Sequence, residues 1–257
     1  MELDAVRLYS APTTVADTDE IARWLGECVD ASVDVHDRFL GGLDDETADE
    51  LAEEFARARV LSPYERETGN TMTGIVRYEE RALENPERAG GVIYDGFAVQ
   101  RALYPHAVDS SDDGTLSVVL LDRVLGTWGD DGRWHKRVVV LGRPTLVSVP
   151  GLYEAPAKPE AYYKEKSKYA MTGDVPPREY LENKVEGDFL VEDDPRTTDA
   201  LKGYVLAGYH YTTTGDAFCD DERCRLYDAH RQEDLVRAQL REPEFCEEHA
   251  AVYDTDS

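Results

Sequence analysis

Hydrophobic and polar positions change period several times along the first sixty residues. Residues 5–9 (AVRLY) alternate, with Val6 and Leu8 on one face, and the run stops at Pro12; period two predicts a strand. Asp17 stands where it can cap a helix over Thr18–Val29, with Glu20 three positions on as in a capping box. Ser32–His36 reads as a second short strand. Over Asp44–Val60 the apolar residues Leu51, Phe55 and Ala58 share one face of a charged helix. The order strand, helix, strand, helix opens an α/β fold.

Residues 62–91 are polar and weakly periodic, so an irregular excursion with one short helix is expected there. Asp95–Tyr104 is predicted helical and to end before Pro105, and SSDDG at 110–114 is predicted to turn. Leu116–Leu125 (LSVVLLDRVL) is apolar enough for one buried strand, interrupted only by Asp122 and Arg123. After the DDG turn of TWGDDGRW, strands are expected at Arg137–Leu141 and Thr145–Val149, separated by Gly-Arg-Pro. GLYEAPAKPEAYYKEKSKY is Pro-rich and aromatic, and 171–196 reads as a linker. Thr197 or Thr198 can cap a helix over Asp199–Thr212 that stops near Gly215, and a last helix spans about His230–Leu240 before Pro243. The tail DTDS is expected to fray. Together these elements predict an α/β (α+β) fold, a mixed sheet with helices. We read 1–257 as a single domain: an N-terminal α/β part over 1–115, core strands and a long helix over 116–214, and a Cys/His extension over 215–257.

Charge changes this picture. The net charge is −26, with 54 acidic against 28 basic residues, and only seven of the basic ones are lysine. Such a surface repels phosphate-rich partners, which excludes nucleic acid and anionic membrane as partner classes. The acids are spread along the chain rather than blocked. That pattern suits solvation in molar salt, where a Debye length of about 3 Å screens self-repulsion, and points to the cytoplasm of an extreme halophile. No stretch approaches the length of a membrane span, and MELDAVRLYSAP has no basic segment leading an apolar one, so a cytoplasmic location without a signal peptide is expected.

Three of the four cysteines fall late in the chain. Cys219, Cys224, Cys246 and His249 are spaced C-x4-C, then 21 residues, then C-x2-H. Paired donors a few residues apart let one turn supply two ligands, and a closed Cys3His set suits a structural zinc. The alternative is buried cysteines with a surface histidine. In a reducing compartment clustered cysteines favour metal over disulfides. Cys28, alone in the first predicted helix, reads as a small core residue.

With these residues in view the segment resembles the archaemetzincins, zinc metallopeptidases of archaea and vertebrates. Their motif HExxHxxGxxHCx4CxM is followed about seventeen residues later by CxxC. Anchored on Cys219, the motif places Cys224 on the second Cys, Gly215 on the glycine and Leu226 on the methionine; Cys246 and His249 stand for CxxC. The apolar LSVVLLDRVLG and RVVVLGRPTLVSV resemble the strands that precede the active-site helix, here Asp199–Thr212. A similar Cys-bearing tail and a segment like GLYEAPAKP are expected in an uncharacterised archaeal family described as metallopeptidases, so the resemblance covers residues 90–250. It implies a metallopeptidase-like hydrolase fold with a structural zinc. The three catalytic histidine positions, however, hold Gly208, Thr212 and Phe218, and the glutamate position holds Tyr209. None of these supplies a good zinc ligand or a carboxylate base, so the catalytic half of the motif is degenerate.

Other candidates are weaker. His230 and Glu233 share a helix face, with Asp234 beside them, and His210 could join them. Glu154 lies in the stiff GLYEAPAKP loop, and Asp122 and Arg123 could line a cleft. His135, His36 and His106 sit at turns or element ends. No phosphate loop, dinucleotide fingerprint or nucleophile elbow is present. Three functions follow: a metallopeptidase-like hydrolase with a non-standard site, a non-catalytic zinc-stabilised scaffold that binds a peptide or partner protein, or an unrelated zinc-dependent interaction module.

Overall fold

A computed structural model describes residues 2–11, 13–69, 71–86, 91–108, 114–171, 173 and 175–253. Most of the SSDDG turn and the DTDS tail lie outside the described residues, as does Pro12.

The centre is a five-stranded sheet built from β1 (Ala5–Tyr9), β2 (Ser32–His36), β4 (Thr115–Leu121), β7 (Val139–Val140) and β8 (Thr145–Ser148), in the order β2-β1-β4-β8-β7. The first four are mutually parallel, and β7 closes one edge antiparallel to β8. A smaller sheet of β3 (Ile93–Asp95), β5 (Val124–Trp128) and β6 (Trp134–Arg137) has the order β3-β5-β6.

Both faces of the larger sheet are covered, and β4 shows how. Leu116, Val118 and Leu120 join a core with α1 (Thr18–Cys28) and α8 (Thr197–Thr214), while Val119 and Leu121 join a second core with α2 (Asp45–Ala58) and α4 (Gly96–Ala107). Alternation sends successive side chains to opposite faces, and a strand buried on both sides reads as an unbroken apolar run. Each of these side chains, fully withdrawn from water, is worth about 1.5–3 kcal/mol.

Several elements differ from the sequence expectation. The run 116–125 is two strands in two sheets, broken at Asp122 and Arg123. Charged side chains need partners that a doubly covered strand does not offer, so the chain leaves the sheet there. Strand 137–141 likewise divides: residues 134–137 pair with β5 and 139–140 with β8. Helix α4 continues past Pro105 to Ala107, because buried Leu103 and Ala107 hold its last turn and Val108 N–H still reaches Tyr104 C=O. Asp17 caps α1 through Glu20 N–H as expected, but the box is not reciprocal. Asp17 N–H donates to Thr198 Oγ1 and the Glu20 carboxylate pairs with Lys202, tying α1 to α8 instead. Neither threonine caps α8: Thr197 Oγ1 donates to Asp194 C=O, and no side chain caps the helix.

The excursion 62–91 contains α3 (Thr73–Glu84). The Pro-rich segment contains α5 (Gly151–Glu154) and α6 (Glu160–Ala170), and 171–196 contains α7 (Arg178–Lys184). That last stretch is not a linker: Leu181, Val185 and Phe189 pack with Tyr162 as a third small core. A helix of seven residues is too short for its periodicity to register. No helix among the described residues is long and apolar enough to cross a membrane.

Candidate metal centre

Helix α8 is buried along most of its length and ends at Gly215, whose φ of +88° is left-handed and favours glycine. Residues 216–218 then lead into the turn that carries the first two thiols. Cys219 N–H donates to Leu226 C=O, Cys224 N–H to Asp221 C=O, and Asp221 N–H to Cys219 Sγ. Helix α9 (Gln232–Gln239) reverses the chain. Arg225 N–H bonds to Glu244 C=O and Gln239 Nε2 to Arg225 C=O, so the returning segment is held beside the turn. Cys246 then stands just before α10 (Glu247–Tyr253), and His249 lies in its first turn. Trp24 Nε1 of α1 donates to Glu244, and the Trp24 ring stacks on Phe245, fixing the tail to the body.

The four donor atoms of Cys219, Cys224, Cys246 and His249 lie within 4.8 Å of one another. Cys219 Sγ and Cys246 Sγ are 3.8 Å apart; His249 Nδ1 is 3.7 Å from Cys224 Sγ and 3.2 Å from Cys246 Sγ. A tetrahedral zinc with Zn–S near 2.3 Å and Zn–N near 2.0–2.1 Å has edges of about 3.8 Å between sulfurs and about 3.6 Å from sulfur to nitrogen. The donor set and its spacing therefore fit a four-coordinate zinc. A disulfide does not fit, since the sulfurs are far beyond bonding distance. Without a cation, burial pushes the Cys224 thiol up to about 12 and raises that of Cys219. A bound dication reverses that direction, because a coordinating thiol is deprotonated. The flanking Asp220, Glu222, Glu247 and Glu248 are exposed and stand outside the cluster.

His210 belongs to this region and does not join His230. It is buried, its Nδ1 lies 2.8 Å from Tyr253 Oη, and its ring meets that of His249 edge-on at 5.2 Å. Burial and His249 hold its pKa below the ordinary histidine value. His230 is exposed and 3.8 Å from Asp228, while Glu233 faces Arg231.

The opposite side of α8 borders a cleft of about 400 Å³, lined by Tyr204, Tyr211, Phe218, Phe97 and His230 and floored by residues 138–141 around the edge strand β7. Of the positions that the motif comparison singles out, Phe218 lines this cleft. A Cβ at Gly208 would come within 2.7 Å of Thr145 Cγ2 on β8, so the helix sits directly on the strand. Thr212 Oγ1 donates to Gly208 C=O. Tyr209 is partly buried in the core on the α1 side, and burial raises its hydroxyl pKa. Phe218 projects an aromatic ring into the cleft. Sequence reading missed Tyr204 and Tyr211, whose i, i+7 spacing on a nearly all-buried helix is the available signal.

The remaining candidates scatter. His36 stacks on Tyr9, His135 bonds Asp131, and His106 is in the last turn of α4. Cys28 packs at the margin of the first core. Glu154 lies between Lys136 and Arg178, accepting from both. Burial alone would raise its pKa, but the two cations hold it below the usual carboxylate value.

A family model described as Family of unknown function (DUF7001) matches residues 7–252. No curated protein matches. Among solved structures, the chain is similar to an archaemetzincin from Methanopyrus kandleri, with 13% identity over 97% of this chain and 92% of that one at a TM-score of 0.45. It is also similar to a zinc-dependent peptidase from Methanocorpusculum labreanum, with 10% identity over 96% and 98% at a TM-score of 0.47. At that identity and overlap, neither protein's activity transfers to this chain.

Proposed function

We propose that this chain, which belongs to the DUF7001 family of unknown function, is a non-catalytic, zinc-stabilised protein that binds an extended peptide or partner segment in the cleft beside β7. The observation that carries the reading is the contrast across α8. On one side, four protein donors converge and leave no ligand position for water, the arrangement of structural rather than catalytic zinc. On the other, the positions that would hold a catalytic metal are a glycine closed against Thr145, a back-bonded threonine and a phenylalanine. Zinc hydrolysis needs an open coordination site and a base, and the motif positions 208, 209, 212 and 218 offer neither. What it does offer is an aromatic wall beside a sheet edge, which suits strand addition with one or two side chains inserted.

The test is metal stoichiometry on purified protein in high salt, together with peptide cleavage and peptide binding. One zinc per chain, unfolding when it is removed, and no cleavage are expected. Two metals per chain, or cleavage that chelation abolishes before the protein unfolds, would replace this reading with a hydrolase that uses a non-standard site. Absence of bound zinc sinks both.

A further inference from the structure

Two sets of buried polar groups lie outside the function above. Asp122 and Arg123 border a second cavity of about 400 Å³, but each faces a counter-charge, Arg38 for Asp122 and Glu79 for Arg123. His210 is different. It is the one buried histidine among the described residues, and it touches the ligand set rather than a counter-charge. Its Nδ1 lies 2.8 Å from Tyr253 Oη. Its ring meets that of His249 with centroids 5.2 Å apart and planes at 79°.

Tyr253 closes the triangle. It stands one turn after His249 on α10, and the two rings are nearly parallel, 6.3 Å apart at 9°. The Tyr253 ring also rests on Phe245, which stacks on Trp24 of α1. His249 thus meets a parallel ring and a crossed one. The nitrogen it turns to the thiols is Nδ1, 3.2 Å from Cys246 Sγ and 3.7 Å from Cys224 Sγ.

Packing alone does not call for this chemistry. A buried hydroxyl and a buried imidazole must leave water, and their mutual bond does little more than offset that cost, so apolar groups of the same shape would pack as well. What the bond adds is direction: it fixes the ring of Tyr253, and with it the ring of His249, against α8. A zinc ligand gains from that, because an imidazole has two distinct nitrogens and only one can be aimed at the thiols. Groups behind a ligand change metal affinity by about 10–100-fold.

We propose that His210 and Tyr253 are a positioning pair for His249, whose bond between α8 and α10 makes His249 bind the metal through Nδ1. The inference rests on the zinc reading of Cys219, Cys224, Cys246 and His249. Neither His210 nor Tyr253 is among the four donors, so both act through His249.

The experiment uses the full chain in high salt, with zinc affinity measured by competition against a chelator and the histidine side-chain nitrogens of the zinc-loaded, 15N-labelled protein read by NMR. In the unaltered chain one zinc is expected, with His249 bound through Nδ1 and carrying its proton on Nε2. Tyr253→Phe keeps the ring and loses the hydroxyl, and His210→Leu keeps the bulk and loses the bond. Each is expected to weaken zinc binding about tenfold and to split the His249 signals between Nδ1-bound and Nε2-bound forms. His210→Asn, whose amide occupies the place of Nδ1, is expected to recover affinity to within about threefold of the unaltered chain. Should His210→Leu fail to fold, Tyr253→Phe decides. The proposal is overturned if His249 binds through Nε2 in the unaltered chain. It is equally overturned if the variants lower the denaturant midpoint while zinc affinity stays within about twofold and the His249 signals do not move. No zinc bound by the unaltered chain would instead remove the metal reading itself, and this inference with it.

Discussion

The two sides of α8 put the same few residues of chain to opposite uses. Ahead of Cys219, the stretch Gly215–Phe218 leaves the helix along the cleft and contributes an aromatic ring. From Cys219 onward the chain turns through two thiols that meet Cys246 and His249. The two regions differ in how their polar atoms are served. In the cluster, four donors point at one another across distances suited to a cation. On α8, positions 208 and 212 are spent on packing and on a helix carbonyl. The lesson is that a metal site needs side chains of the right type and also the room to project them, and α8 has given up that room where it lies on β8.

The largest expected effect breaks the cluster. Cys224→Ser, or chelation, removes a fully buried ligand and is expected to cost about 4 kcal/mol or more, as loss of a structural metal does. The zinc content by mass spectrometry should fall with the denaturant midpoint; a stable, metal-free protein would erase the contrast. Next, Gly208→His supplies the motif's missing first ligand. Because the added Cβ meets Thr145, overpacking is expected to cost about 1–3 kcal/mol while zinc stays at one per chain. A second bound metal with unchanged stability would show that the helix can yield and that the two sides are less different than their packing says.

Smaller effects separate binding from stability. Tyr211→Ala trims the half-exposed rim of the cleft, so peptide affinity is expected to fall about tenfold with a stability change of about 0.5 kcal/mol or less. The smallest prediction concerns pH. The folded pKa of Glu154 lies below its unfolded value because Lys136 and Arg178 outweigh its burial. Its contribution is therefore present above the unfolded pKa and is lost as pH falls through the folded one. Glu154→Gln should lower stability at neutral pH and flatten that acid slope while leaving zinc content unchanged, as read from denaturation midpoints between about pH 7 and 3.

Much of the frame was legible without coordinates. The alternation in 5–9, the capping of α1 by Asp17, and the stop at Gly215 all appear where local patterns put them. The errors share a cause. Pro105 stays inside α4 because Leu103 and Ala107 pack beneath it, and Glu20 turns from its own cap to Lys202, a residue 182 positions away. The apolar run 116–125 is divided because Asp122 and Arg123 find counter-charges on α3 and after β2, partners no local window contains.

What the sequence by itself determined is therefore what depends on neighbours along the chain: strand and helix periods, caps, the acidic surface, the spacing of Cys219, Cys224, Cys246 and His249, and the absence of histidine at 208, 212 and 218. What only the tertiary structure decided is which of these meet. It carried Cys246 and His249 back to the first pair, laid Gly208 on Thr145, and sent His210 to Tyr253. The physical reason is range. Backbone propensity acts over one or two turns, whereas packing, ion pairing and ligand convergence are settled by contacts between residues far apart in sequence.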